Sequence, residues 1–135
     1  MSICFKYIGF IRRKDNSASR EVPVEIHINE EYSEGLKGLE EFSHIIVIYH
    51  LHLSSFDGRL TREKKGTRVG VFATRSQIRP NPIGISVAEL LEIKNNVIIA
   101  KGINAFDGTP VLDIKPYDKW DSINNIIVPA WHNVV

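Results

Sequence analysis

The chain has 135 residues, 43% of them hydrophobic, which is enough for one compact domain with its own core and too little for two of ordinary size. Its 17 Lys and Arg nearly balance 16 Asp and Glu, so no whole-molecule field draws it to nucleic acid or membrane, and any RNA contact has to be local. A single cysteine excludes an internal disulfide framework and a cysteine-rich metal site, no apolar run approaches the roughly 20 residues of a membrane-spanning helix, and no cleavable signal opens the chain, so a soluble cytoplasmic protein with a buried, inert Cys4 is expected.

The branched residues favour sheet: 19 Ile and 11 Val against 8 Leu are side chains that pack well on pleated surfaces and lose rotamer freedom in helices. A first strand is expected over 3–11, followed by a polar, Ser-rich stretch over 12–20 that reads as a functional loop. Residues 22–28 contain Val24-Glu25-Ile26-His27-Ile28, whose alternation suits one dry and one wet face. One or two helical turns are expected over 33–42, with Ser33 as a cap, although Gly35 and Gly38 weaken a helix. Residues 44–53 are apolar almost throughout and read as a central strand.

A loop over 54–67 follows, carrying Arg59, Arg62, Lys64 and Lys65 between Gly58 and Gly66. Its charge suits phosphate contacts if RNA is the partner, and solvated surface otherwise. Strands are expected next over 68–73, 84–93, 97–102 and 111–114. Asn95-Asn96 reads as a hairpin turn, since Asn tolerates positive φ, and makes its flanking strands antiparallel neighbours. Small antiparallel sheets with little helix have to cover their edges, and closure does so directly. The expected fold is therefore mainly β: a small β-barrel with short helical segments, formed by residues 1–135 as one domain.

Residues 72–86 carry the densest chemistry. Pro80 and Pro82 fix their own φ and push Arg79 and Asn81 into extended conformations, and Gly84 permits a sharp exit into the next strand. A stiff loop bearing Thr74, Arg75, Ser76, Arg79 and Asn81 suits a carboxylate, a phosphate or a base edge. Asp107-Gly108-Thr109-Pro110 is by itself an ordinary turn. Asp113 beyond it lies among apolar neighbours and needs a partner or a purpose, an arginine of the proline-rich loop being the plain structural choice.

The sequence resembles the TsaA/TrmO-like methyltransferases in three stretches: residues 38–44, Gly-Leu-Glu-Glu-Phe-Ser-His; residues 70–84, Gly-Val-Phe-Ala-Thr-Arg-Ser-Gln-Ile-Arg-Pro-Asn-Pro-Ile-Gly; and residues 107–117, Asp-Gly-Thr-Pro-Val-Leu-Asp-Ile-Lys-Pro-Tyr. Ile8-Gly9 also looks like that family's opening strand. The resemblance implies a β-barrel, S-adenosylmethionine bound near a homodimer interface, and N6-methylation of threonylcarbamoyladenosine beside the tRNA anticodon. It places cofactor contacts on His52, Leu53, Arg75, Ile85, Asp107, Gly108, Thr109 and Pro110, and involves no metal and no membrane. Ile126-Ile127-Val128 with Trp131 offers an apolar patch for the second copy.

The transferred methyl is already activated on its sulfonium, so alignment and water exclusion are the main demands. The acceptor nitrogen still has a proton to lose, for which His52, His50 and Asp113 are candidate bases. The region 12–23 lacks the Pro-Arg-Gln triplet that many members carry after the first strand, and the C-terminal domain of longer members is not expected here. A module that binds S-adenosylmethionine or another nucleotide without methyl transfer is therefore the alternative. An RNA-binding barrel without cofactor ranks last, because Phe5, Tyr7 and Phe10 are only a fragment of a stacking face.

Overall fold

The computed structural model describes residues 1–132. Six strands close into a barrel: β1 (Gly9–Arg12), β2 (Val24–Ile28), β3 (His44–His50), β6 (Ile83–Lys94), β7 (Val97–Lys101) and β8 (Pro110–Pro116). Around the barrel the order is β1-β2-β7-β6-β3-β8, and β8 pairs back onto β1, all antiparallel. The remaining two strands, β4 (Thr61–Lys64) and β5 (Thr67–Gly70), form a separate hairpin.

The alternation in β2 does what its pattern requires: Val24, Ile26 and Ile28 are buried, while Glu25 is exposed. In β3 every second residue, Ile45, Val47 and Tyr49, enters the core, while His44, Ile46, Ile48 and His50 are half-buried on the outer side. Ile11, Ile98, Ala100, Val111 and Ala88 complete the interior from the other strands, with Ile103 and Ala105 added by the loop before β8. Asn95 adopts φ 57° in the β6–β7 turn, as expected there, and the Asn96 amide donates to the Ile28 carbonyl.

Several expectations are corrected. The first strand is shorter than 3–11, because residues before Gly9 are unpaired apart from single bonds such as Ile8 N to Val111 O. Cys4 consequently lies exposed and not buried. Strand β4 falls inside the stretch read as loop; its polar residues and the Lys65-Gly66 turn, at φ 50° and 81°, mark a solvent-facing hairpin without an apolar face. The 68–73 strand ends at Gly70 and continues as a 3-10 turn, Val71–Ala73. In place of a helix over 33–42 there are two 3-10 segments, Glu30–Leu36 and Leu39–Glu41, broken where Gly38 takes φ 92°. Ser33 is no cap: its hydroxyl donates to the Glu30 carbonyl within the turn.

Candidate functional site

A cleft of about 390 Å³ opens at one end of the barrel, within the roughly 300–1,000 Å³ usual for small-molecule sites. One wall is the end of β3 and the residues after it: Tyr49, Leu51, His52 and Leu53. Facing it are Ile83, Gly84 and Ile85 at the start of β6, with Arg75, Gln77 and Arg79 from the proline-rich loop. The loop before β8 contributes Asn104, Ala105, Phe106 and Thr109, and the loop after β1 adds Ala18 and Arg20.

The proline-rich loop is held largely by its own polar groups. The Thr74 hydroxyl donates to the Val71 carbonyl at 2.7 Å and accepts from the Ser76 amide. Arg79 Nη1 donates to the Thr74 and Ser76 carbonyls at 2.9 and 3.1 Å. Thr74, Ser76 and Arg79 therefore build the loop that presents Arg75. The Arg75 guanidinium makes only a long 3.4 Å bond to the Ile85 carbonyl and is exposed, so it retains most of its donors for a ligand.

Beneath the cleft, Tyr49 is almost wholly buried; its hydroxyl meets Ser86 Oγ at 2.8 Å and donates to the Asn104 carbonyl at 3.1 Å. Burial pushes its phenol pKa up, the Ser86 bond opposing the shift. The floor is thus neutral. No acidic residue stands among the described residues that line the cleft, whereas Arg20, Arg75 and Arg79 all do. The arrangement suits an anionic group beside an apolar body seated on Leu51, Leu53, Ile83, Ile85 and Phe106.

Of the cofactor contacts expected from sequence, His52, Leu53, Arg75, Ile85 and Thr109 come together in the cleft, although they lie far apart in the chain. Asp107, Gly108 and Pro110 do not line it. Asp107 Oδ1 accepts the Arg13 amide at 2.9 Å, Gly108 donates its amide to Ile11, and Pro110 is buried at the start of β8 opposite Phe10. Among the candidate bases, only His52 lines the cleft. His50 Nδ1 is bonded to the Tyr7 hydroxyl at 2.7 Å. Asp113 is turned to a separate groove beneath the first 3-10 segment and pairs with Lys115 at 3.0 Å, not with an arginine of the proline-rich loop.

The basic stretch divides. Arg62 is spent inside the protein: its guanidinium donates to the carbonyls of Arg59, Thr61 and Ile78, and its side chain is only 13% exposed. Arg59 is exposed and bonds Asp57 at 3.0 Å, and the amide of Arg59 with this guanidinium lowers the Asp57 pKa. Lys64 and Lys65 lie at the hairpin tip. Ala18 and Arg20 come from the loop over 12–20 that the sequence marks as functional, whereas Tyr49, Gln77, Asn104 and Phe106 are not singled out by it, the Tyr49 hydroxyl inside an apolar strand being the signal that could have found the floor.

Comparison with known proteins places this geometry. Residues 11–122 match the family described as the tRNA-methyltransferase O N-terminal domain. A protein of Archaeoglobus fulgidus called an S-adenosyl-L-methionine-binding protein is 42% identical over 90% of this chain and 94% of its own. The tRNA (adenine(37)-N6)-methyltransferase of Escherichia coli is 43% identical over 86% of this chain, which spans 58% of that protein. A crystal structure of TrmO from Pseudomonas aeruginosa superposes with a TM-score of 0.75 at 31% identity, over 94% of this chain and 61% of the crystallised one.

Proposed function

The chain belongs to the tRNA-methyltransferase O N-terminal domain family, and on that basis we propose that it is an S-adenosylmethionine-dependent tRNA (adenine-N6)-methyltransferase. The observation that carries the reading is the convergence of His52, Leu53, Arg75, Ile85 and Thr109, from four separate stretches, on one cleft. The residues fit the cofactor. Arg75 offers donors to the methionine carboxylate, and Leu53, Ile83, Ile85 and Phe106 give the adenine an apolar slot.

When bound, the cofactor supplies a methyl group already activated for transfer. The protein's work is then to align the acceptor and exclude water, an effect that is worth several kcal/mol. Among the candidate bases, His52 at the cleft wall takes the proton that leaves the acceptor nitrogen. The substrate is threonylcarbamoyladenosine beside the anticodon, presented from a single-stranded loop. A wall that bears arginines and, among the described residues, no carboxylate supports a base that carries a carboxylate of its own. Lys64, Lys65 and Arg59 grip the phosphates outside the cleft.

We further place the protein in the cytoplasm as a homodimer. Val87 and Leu91 on β6 lie outside the cleft and are exposed, as are Ile126 and Ile127, which supports a second copy as their cover. Light scattering of a monomer at micromolar concentration contradicts that part. Titration with S-adenosylmethionine followed by methyl incorporation into bulk tRNA tests the enzyme. Binding without incorporation selects the alternative, a cofactor-binding module, and absence of both overturns the reading.

A further inference from the structure

We infer that Arg13 is a positioning residue that clamps two walls of the cleft to each other from behind, although it does not itself line the cleft. Its side chain is completely buried. Towards the loop after β1, Nε and Nη2 form a fork onto the Asp15 carboxylate at 2.8 and 3.1 Å, and Nη2 also reaches the Ser17 hydroxyl and the Ser19 carbonyl. Towards the loop before β8, Nη1 donates to the Ala105 carbonyl at 2.9 Å and more weakly to that of Ile103. The backbone amide of Arg13 is taken by Asp107 at 2.9 Å.

Every acceptor of this guanidinium lies in one of the two loops and none in a barrel strand. The first loop places Ala18 and Arg20 in the cleft, and the second places Asn104, Ala105 and Phe106. A buried charge paired with a partly exposed carboxylate is a poor device for stability alone, since desolvation offsets much of the attraction. It is a good device for fixing two irregular segments at one spacing, because a planar fork has few acceptable geometries. Asp15 is held well below the ordinary carboxylate range by that fork, so its carboxylate stays charged at neutral pH. Only the consequence for ligand affinity rests on the proposed cofactor; the clamp stands on its own geometry.

The test compares Asp15→Ala and Arg13→Lys with wild type in amide hydrogen exchange and in calorimetric titration with S-adenosylmethionine. Exchange should quicken at least about tenfold in residues 16–20 and 103–106 and stay unchanged in β2, β3, β6 and β7. Cofactor affinity should fall by about tenfold, the scale of a misplaced site wall. Lysine keeps the charge without the fork, so Arg13→Lys should not rescue. In turnover the loss should fall on KM for the cofactor and spare kcat at saturation. Should the Arg13 variant fail to fold, Asp15→Ala, altered on the partly exposed partner, carries the test. Unchanged exchange in both segments overturns the inference, as does affinity within about twofold of wild type in a variant whose segments have loosened. Wild-type protein that takes up no cofactor counts against the proposed function instead, and exchange alone then decides the clamp.

Discussion

The ring of Tyr49 lies against the α-carbon of Gly84, its partner across β3 and β6. A Cβ at Gly84 would come within 2.9 Å of Tyr49 Cδ2 and Cζ, and closer still to Cε2. Gly84 is therefore required for close approach and not for a left-handed φ. Gly84→Ala should cost about 1 to 3 kcal/mol, the usual scale of overpacking, and tilt Tyr49 off the cleft floor. Chemical denaturation checks it, and an unshifted midpoint would show that the ring moves freely.

Arg75 sits on a loop braced by Thr74, Ser76 and Arg79, and its one bond within the protein is the long contact to Ile85. Arg75→Ala should leave the melting temperature unchanged and weaken S-adenosylmethionine by about 1 to 3 kcal/mol, the loss of a charge-assisted bond. Unchanged calorimetric affinity removes Arg75 from the site.

Replacing Lys64 and Lys65 by alanine should lower tRNA affinity and flatten its dependence on log salt by about 1.5 units, two phosphate contacts at roughly 0.7 to 0.9 each. Arg62→Ala should behave differently. Its bond to the Ile78 carbonyl ties the hairpin to the proline-rich loop, and those to Arg59 and Thr61 brace the start of β4, so the expected effect is quicker hydrogen exchange in β4 and β5. An unaltered salt slope in the lysine double variant means that RNA lies elsewhere.

Two ionisable groups set opposite limits on stability. Tyr49 has a raised pKa from burial, so its contribution is complete below the ordinary phenol value of 10.0 and is lost as pH rises through the higher folded value. Its phenol should ionise above the ordinary value in an ultraviolet titration, a step that Tyr49→Phe removes. Asp15 has a lowered pKa from the Arg13 fork, so its contribution is complete above the ordinary 3.8 and is lost as pH falls from there towards the folded value. Asp15→Ala should flatten the acid limb alone.

The barrel was legible because β2 alternates, β3 is a long run of branched apolar residues, and β6 and β7 flank an Asn-Asn turn that makes them antiparallel neighbours. The hairpin β4–β5 was not, since Thr61-Arg-Glu-Lys64 has no apolar face and pairs only with its neighbour. Of the residues expected at the site, Arg75 from the proline-rich stretch and His52 from the resemblance line the cleft, whereas Asp107 and Arg62 are bound to backbone partners that only the fold supplies. The loop over 12–20 is marked by its composition, but the burial of Arg13 within it is not, because a buried arginine and an exposed one are spelled alike. Its neighbour Arg12 is exposed.

The most direct test of the central claim is nucleoside mass spectrometry of tRNA incubated with the protein and isotopically labelled S-adenosylmethionine, using tRNA with and without the threonylcarbamoyl group. The account predicts one labelled methyl on N6 of threonylcarbamoyladenosine, and none on tRNA that lacks the modification. Cofactor binding without any labelled nucleoside, or label on unmodified adenosine in equal measure, would contradict it.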